Sequence, residues 1–168
     1  MQVDEMLVNE RTFPAKEWSK RQRNILLDLS KQATQPVAVV GAVSREKGIE
    51  LLMTFGSSVS PSKFSVFLEE LRRRNPLDDI LLMMDNLILH RCRATKERME
   101  ELGFEVCWTP PFSPQFNGIG EVWAMGRRRI KQERLRRIEN GEAVHMESIV
   151  HEEFEKIGCA GQVYFRVD

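Results

Sequence analysis

Apolar positions along the chain switch between strand-like and helical spacing, and each switch marks an element. Residues 3–8 are apolar-rich and predict a short strand with Asp4 and Glu5 inside it. Residues 36–44 are β-branched and bounded by Pro36 and the turn Arg45-Glu46-Lys47-Gly48; they predict a strand, with 48–55 as its hairpin partner. Ser60-Pro61 supplies an N-cap and a proline at the first helical position. Phe64, Phe67, Leu68 and Leu71 then recur at helical spacing, and the helix stops near Asn75-Pro76. Residues 79–84 form a continuous apolar run after an acidic start, the pattern of a strand buried on both faces. A helix over 94–102 ends at Gly103, a strand covers 104–108, and the order implies a parallel, right-handed crossover. Residues 110–117 read as loop, 119–138 as a long helix with Trp123 and Ile130 inward and an end at Asn140-Gly141, and 146–157 as a further helix. Residues 9–24 are polar and read as a loop or irregular hairpin. Residues 25–35 stay open between a frayed strand and a turn, and 162–168 remain unassigned. The sum is one α/β domain over 1–168: a mixed central sheet of about five strands, the first three antiparallel, flanked by helices.

At 168 residues, 42% hydrophobic and 30% charged, the chain is long and apolar enough for a real core, which excludes a disordered class. Lys plus Arg equals Asp plus Glu at 25 each, so net charge points to no partner. Its distribution does: Arg127, Arg128, Arg129, Lys131, Arg134, Arg136 and Arg137 form a dense basic block, which reads either as a solvated helix face or as a phosphate-contacting surface. Lys16, Lys20, Arg21 and Arg23 could add to that surface. Cys92, Cys107 and Cys159 are odd in number and lack disulfide or zinc spacing, which fits a reducing compartment. The acidic start and the absence of a long apolar run lead to the expectation of an intracellular protein without a membrane partner or a small-molecule cofactor.

Asp85 ends the apolar run of 79–84, where open α/β sheets gather ligands. It serves equally well as a turn cap. Asp4 sits within an apolar strand; if that strand is central, the two carboxylates lie side by side, and their repulsion calls for a cation. Magnesium prefers hard oxygen ligands, and a pair of such ions activates water for in-line phosphoryl transfer with no protein nucleophile. His90 orients the loop after Asp85 or is a turn histidine. His145 and His151 show no ligand pattern, and Met83-Met84 reads as core.

Asp4-Glu5, Trp18-Ser19-Lys20, Val40-Gly41-Ala42-Val43-Ser44, Asp85-Asn86 with His90, and the run from Thr109-Pro110-Pro111-Phe112-Ser113 through Asn117, Ile119 and Trp123 together resemble one family. It is the catalytic domain of mariner-like transposases and their bacterial insertion-sequence relatives, the DDE transposases, over roughly residues 3–140. The resemblance implies a ribonuclease-H-like fold, a two-ion Mg2+ or Mn2+ site, and DNA cleavage and strand transfer at transposon ends and target DNA, with a homodimer as the working form. It implies Asp4 and Asp85 as the first two metal-binding acids, with Asn86, His90, Asn117 and Trp123 in support; beside such a site, the charge of Arg127, Arg128, Arg129, Lys131 and Arg134 would attract DNA phosphates.

The third acid departs from the pattern. Its position is Gly120, and Gly118 replaces the usual proline, while Trp123 keeps its offset from Asn117. Glu121 is the adjacent acid, and neighbours on a helix point about 100° apart. A late helix start at the permissive Gly118 and Gly120 would be needed to turn Glu121 inward as catalytic acid and metal ligand. The expectation is an impaired endonuclease, or else a catalytically silent DNA-binding or protein-interaction module. The resemblance implies helix-turn-helix modules before the first strand, and the expectation from this sequence is a domain without them.

Overall fold

The computed structural model describes residues 1–9, 35–111, 113, 116–158 and 164–167. The expectations for 9–24 and 25–35 fall largely outside these, as do Lys16, Trp18, Lys20, Arg21 and Arg23.

Six strands form one mixed sheet: β1 (Gln2–Val8), β2 (Val37–Ser44), β3 (Gly48–Gly56), β4 (Ile80–Met84), β5 (Phe104–Trp108) and β6 (Tyr164–Val167). Their order across the sheet is β5-β4-β1-β2-β3-β6. β1, β2 and β3 pair antiparallel, whereas β4 runs parallel to both β1 and β5, as the meander followed by βα units requires. β6 runs parallel to β3 at the far edge, a strand the sequence reading left unassigned.

Five helices complete the described fold: α1 (Pro61–Arg74), α2 (Ile88–Arg91), α3 (Arg93–Glu101), α4 (Gly120–Glu139) and α5 (Met146–Gly158). At the start of α1 the Ser60 hydroxyl accepts from the Lys63 amide at 3.3 Å, and Pro61 opens the first turn. Gly103 and Gly141, at φ +69° and +70°, stand just beyond α3 and α4 in the left-handed region that ends helices. The four-residue α2 is new relative to the sequence reading.

Strand alternation divides the core in two. Val3, Val40, Leu82 and Met84 face the side covered by α1, with Phe64, Phe67, Leu68 and Leu71. Met6, Val39 and Leu52 face the other side, where Ile119, Trp123 and Ile130 of α4 and Phe154 of α5 lie. Gly126 lets those two helices close together: a Cβ there would sit 2.3 Å from Phe154 Cζ. β4 corrects one expectation. Its inner residues Ile80, Leu82 and Met84 are buried, but Leu81 is 48% exposed. Among the described residues, the apolar cluster under α4 and α5 includes residues of β1, β2 and β3 and none of β4 or β5, which leaves that flank of β4 uncovered by them.

Candidate functional site

Asp4 and Asp85 come together through register. Gln2 pairs with Met83 across the parallel β1–β4 junction, and carrying that register two residues on sets Asp4 beside Asp85 at the strand ends. Both line one hollow of about 400 Å³, together with Asn86, Thr109, Pro110 and Asn117.

Each carboxylate is held by a different side of the sheet. Asp4 Oδ2 accepts from Asn117 Nδ2 at 2.9 Å and from Trp123 Nε1 at 3.1 Å, and Oδ1 accepts the Glu5 amide at 2.8 Å. Trp123 can reach Asp4 because Gly41, its partner in register on β2, leaves room: a Cβ there would lie 2.7 Å from Trp123 Cη2, 2.9 Å from Leu52 Cδ2 and 3.1 Å from Ile119 Cδ1. The glycine of the Val40-Gly41-Ala42 segment is thus a site residue at one remove, missed by the sequence reading. Asp85 Oδ1 accepts the Leu87 amide at 3.1 Å and faces His90 Nδ1 at 2.9 Å.

Other contacts pin the loops around the hollow. Asn86 Nδ2 donates to the Thr109 carbonyl at 2.7 Å, joining the ends of β4 and β5. Gln2, also missed by the sequence reading, donates through Nε2 to the Phe116 carbonyl at 2.6 Å and accepts the Ile119 amide at 3.2 Å. Gly118 accommodates it, since a Cβ there would lie 2.8 Å from Gln2 Oε1. A proline at 118 would carry that atom.

His90 is fully buried between two acids, against the Phe64 ring at 5.0 Å. Its Nε2 lies 2.7 Å from Glu5 Oε1, opposite the Asp85 contact. Burial disfavours the imidazolium, but the hydrogen bond to Glu5 and the charges of Glu5 and Asp85 outweigh it, so the His90 pKa rises above its usual value.

The third acid is not brought to the pair. α4 starts at Gly120, with Ile119 already helical before it, so the late start that would turn Glu121 inward does not occur. Glu121 is exposed and lines a separate hollow of about 1,040 Å³ with Leu81, Val122 and Met125. Gly120 lies three residues before Trp123 and therefore on the same helix face, which is the face turned to Asp4. A Cβ at Gly120 would meet nothing within 4 Å. Among the described residues, no group of three or more His, Cys, Asp or Glu converges as a metal cluster. Two hard carboxylates suit one magnesium-like ion completed by water and substrate oxygens. They do not amount to the three-acid, two-ion set expected from the sequence.

The basic block is partly spent within the protein. Arg136 pairs with Glu133 and Glu142, and Arg137 with Glu133 and Glu152. The two guanidiniums hold the Glu133 carboxyl down to about 2. Arg134 is 5% exposed, which corrects its assignment to a DNA-facing surface. Arg129 and Lys131 are half-buried, with Arg129 3.8 Å from Glu153. Arg127 and Arg128 are exposed.

The strand order, with an antiparallel meander beside two parallel strands and helices on both faces, defines a ribonuclease-H-like domain of the transposase and integrase core type. A family model described as DDE superfamily endonuclease matches residues 1–143, and the chain belongs to that family. Similar solved structures include a chain of the simian T-cell lymphotropic virus intasome in complex with a PP2A regulatory subunit (10% identity, 94% of this chain and 47% of that chain, TM-score 0.64). The catalytic core domain of BIV integrase is similar as well (14% identity, 96% and 88% covered, TM-score 0.53). A Mos1 transposase paired-end complex with the left transposon end matches at 17% identity over 72% of this chain and 40% of that one, with a TM-score of 0.49. The chain thus spans less than half of two of these three chains. No curated protein matches its sequence. No helix of the described residues is long and apolar enough to cross a membrane.

Proposed function

We propose that this domain is a transposase-type DNA endonuclease core in which Asp4 and Asp85 hold a divalent cation, Mg2+ or Mn2+, at a phosphodiester. The observation that carries the reading is the juxtaposition of these two acids at the ends of adjacent central strands, within one hollow. Family membership supports it, because DDE endonucleases generally use divalent metals. Such an ion would supply Lewis-acid activation of water and charge neutralisation at the phosphate. The chain's own contribution is positioning: Asn117 and Trp123 fix the Asp4 carboxylate, and Asn86 ties the two strand ends that border the hollow. Arg127 and Arg128 at the exposed surface of α4 attract phosphates without reading sequence. Transposon ends and target DNA as substrates, and a homodimer as the working form, rest on the family resemblance.

With glycine at 120 and Glu121 turned elsewhere, cleavage is weak. That same observation favours a second reading, a catalytically silent DNA-binding module. A strand-nicking assay on supercoiled DNA with Mn2+ separates the two. Slow nicking that disappears in Asp4→Asn and in Asp85→Asn supports the endonuclease. Metal-dependent nicking untouched by both substitutions would overturn the assignment of these acids, and DNA binding with no nicking would favour the silent module.

A further inference from the structure

Glu5 is an acid the proposed site does not use. It neighbours Asp4 in sequence, yet strand alternation sends it to the opposite face, among the residues under α1. Its side chain is 12% exposed, and Oε2 is buried without a hydrogen-bond partner. An acid in such a place is costly unless it serves its neighbours. Among the described residues its side-chain partner is His90 Nε2 at 2.7 Å, and the other ring nitrogen of the same imidazole reaches Asp85 Oδ1 at 2.9 Å. The imidazole cannot swing, because it is fully buried against Phe64. A continuous line of contacts therefore runs from β1, through the core, to the carboxylate at the end of β4.

We infer that Glu5 and His90 are positioning residues that set the orientation of the Asp85 carboxylate for cation binding. The inference rests on the reading of Asp4 and Asp85 as the cation site. Asp85 is half exposed and follows the last residue of its strand, so backbone pairing alone does not fix its side chain. The Leu87 amide and His90 both approach Oδ1, which leaves Oδ2 turned away from them as the oxygen for an ion. Glu5 holds the far side of the ring and so fixes the near side. Residues placed behind a metal ligand in this way commonly cost about 10–100-fold in metal affinity when removed.

The test separates orientation from stability. Breaking one member of a buried polar pair destabilises, whereas replacing both with apolar groups of similar shape is often neutral. The double substitution Glu5→Leu with His90→Phe keeps the packing against Phe64 and removes both polar contacts. Mn2+ affinity is read by calorimetry and folding by thermal melting in EDTA, using the full chain. The expected result is a melting temperature close to the parent and Mn2+ binding weakened about tenfold or more. Glu5→Gln, whose amide still meets Nε2, should keep the affinity within about threefold of the parent and so rescue the function. Affinity unchanged in a folded double variant overturns the positioning role while leaving the cation site standing. If the double variant does not fold, Glu5→Gln and Glu5→Ala decide: equal affinity in both overturns it. A parent chain that binds no Mn2+ overturns the Asp4–Asp85 site and this inference together.

Discussion

Restoring an acid at position 120 is the most direct probe of this site. In Gly120→Glu the new Cβ enters open space. Replacing a helical glycine gains about 0.5–1 kcal/mol of helix propensity. An acid in the first turn adds about 0.3–1 kcal/mol through the helix dipole. In EDTA these gains are offset by repulsion from Asp4, on the side to which this helix face is turned. The melting temperature without metal should therefore change little. With Mn2+ the repulsion becomes ligation. A tenfold gain in affinity corresponds to about 1.4 kcal/mol of extra stabilisation at saturating metal. For a chain of this size, each kcal/mol moves the melting temperature by about 2–4 °C, so the Mn2+-induced shift should exceed the parent's by about 3–6 °C. Differential scanning fluorimetry in EDTA and in saturating Mn2+ measures this, with Glu121→Gln as the control expected to match the parent. Nicking should rise in parallel. Equal Mn2+-induced shifts in the parent and in Gly120→Glu would refute the argument that position 120 faces the aspartates.

Three further outcomes follow from the geometry. Gly41→Ala forces a methyl against Trp123, Leu52 and Ile119; overpacking of this kind costs about 1–3 kcal/mol, while Gly56→Ala, where a Cβ meets nothing within 4 Å, should melt like the parent. His90 has a raised pKa when folded, so its charge stabilises the fold fully below about 6.5, the unfolded value, and that contribution is lost as pH rises through the higher folded value. In EDTA the melting temperature should therefore fall over that range, and His90→Phe should flatten the dependence; an unchanged slope would count against an imidazolium. Double substitution Arg127→Gln with Arg128→Gln should weaken DNA binding across sequences and reduce the salt slope by about 2, whereas a slope equal to the parent's would remove these arginines from the phosphate surface.

Most element boundaries were legible because local chemistry sets them: Ser60 and Pro61 at the start of α1, Gly103 and Gly141 after α3 and α4. The family resemblance singled out Asp4, Asp85, Asn117 and Trp123, and in the fold they surround or touch one hollow. The exposure of Leu81 was not legible, because a run of apolar residues records what a strand tolerates and not which helix happens to cover it. The fate of the basic block was equally hidden. Glu133 lies in the same helix and Glu142 in the turn just after it, but Glu152 meets Arg137 only once α5 packs back through Gly126. Gln2 carried no motif signal and Glu5 only its place beside Asp4; their roles depend on which face of β1 each occupies.

The open flank of β4 gives the two aspartates unequal mechanical settings. Both aspartates stand on strands with a neighbour on each edge, but Asp4 is also clasped by an indole and an amide from the α4 side. Asp85 tips a strand whose outer face no helix covers among the described residues, and thinly packed segments open more readily. Asp4 is thus braced from the α4 layer, whereas the hold on Asp85 comes from the opposite layer, through His90 and Glu5.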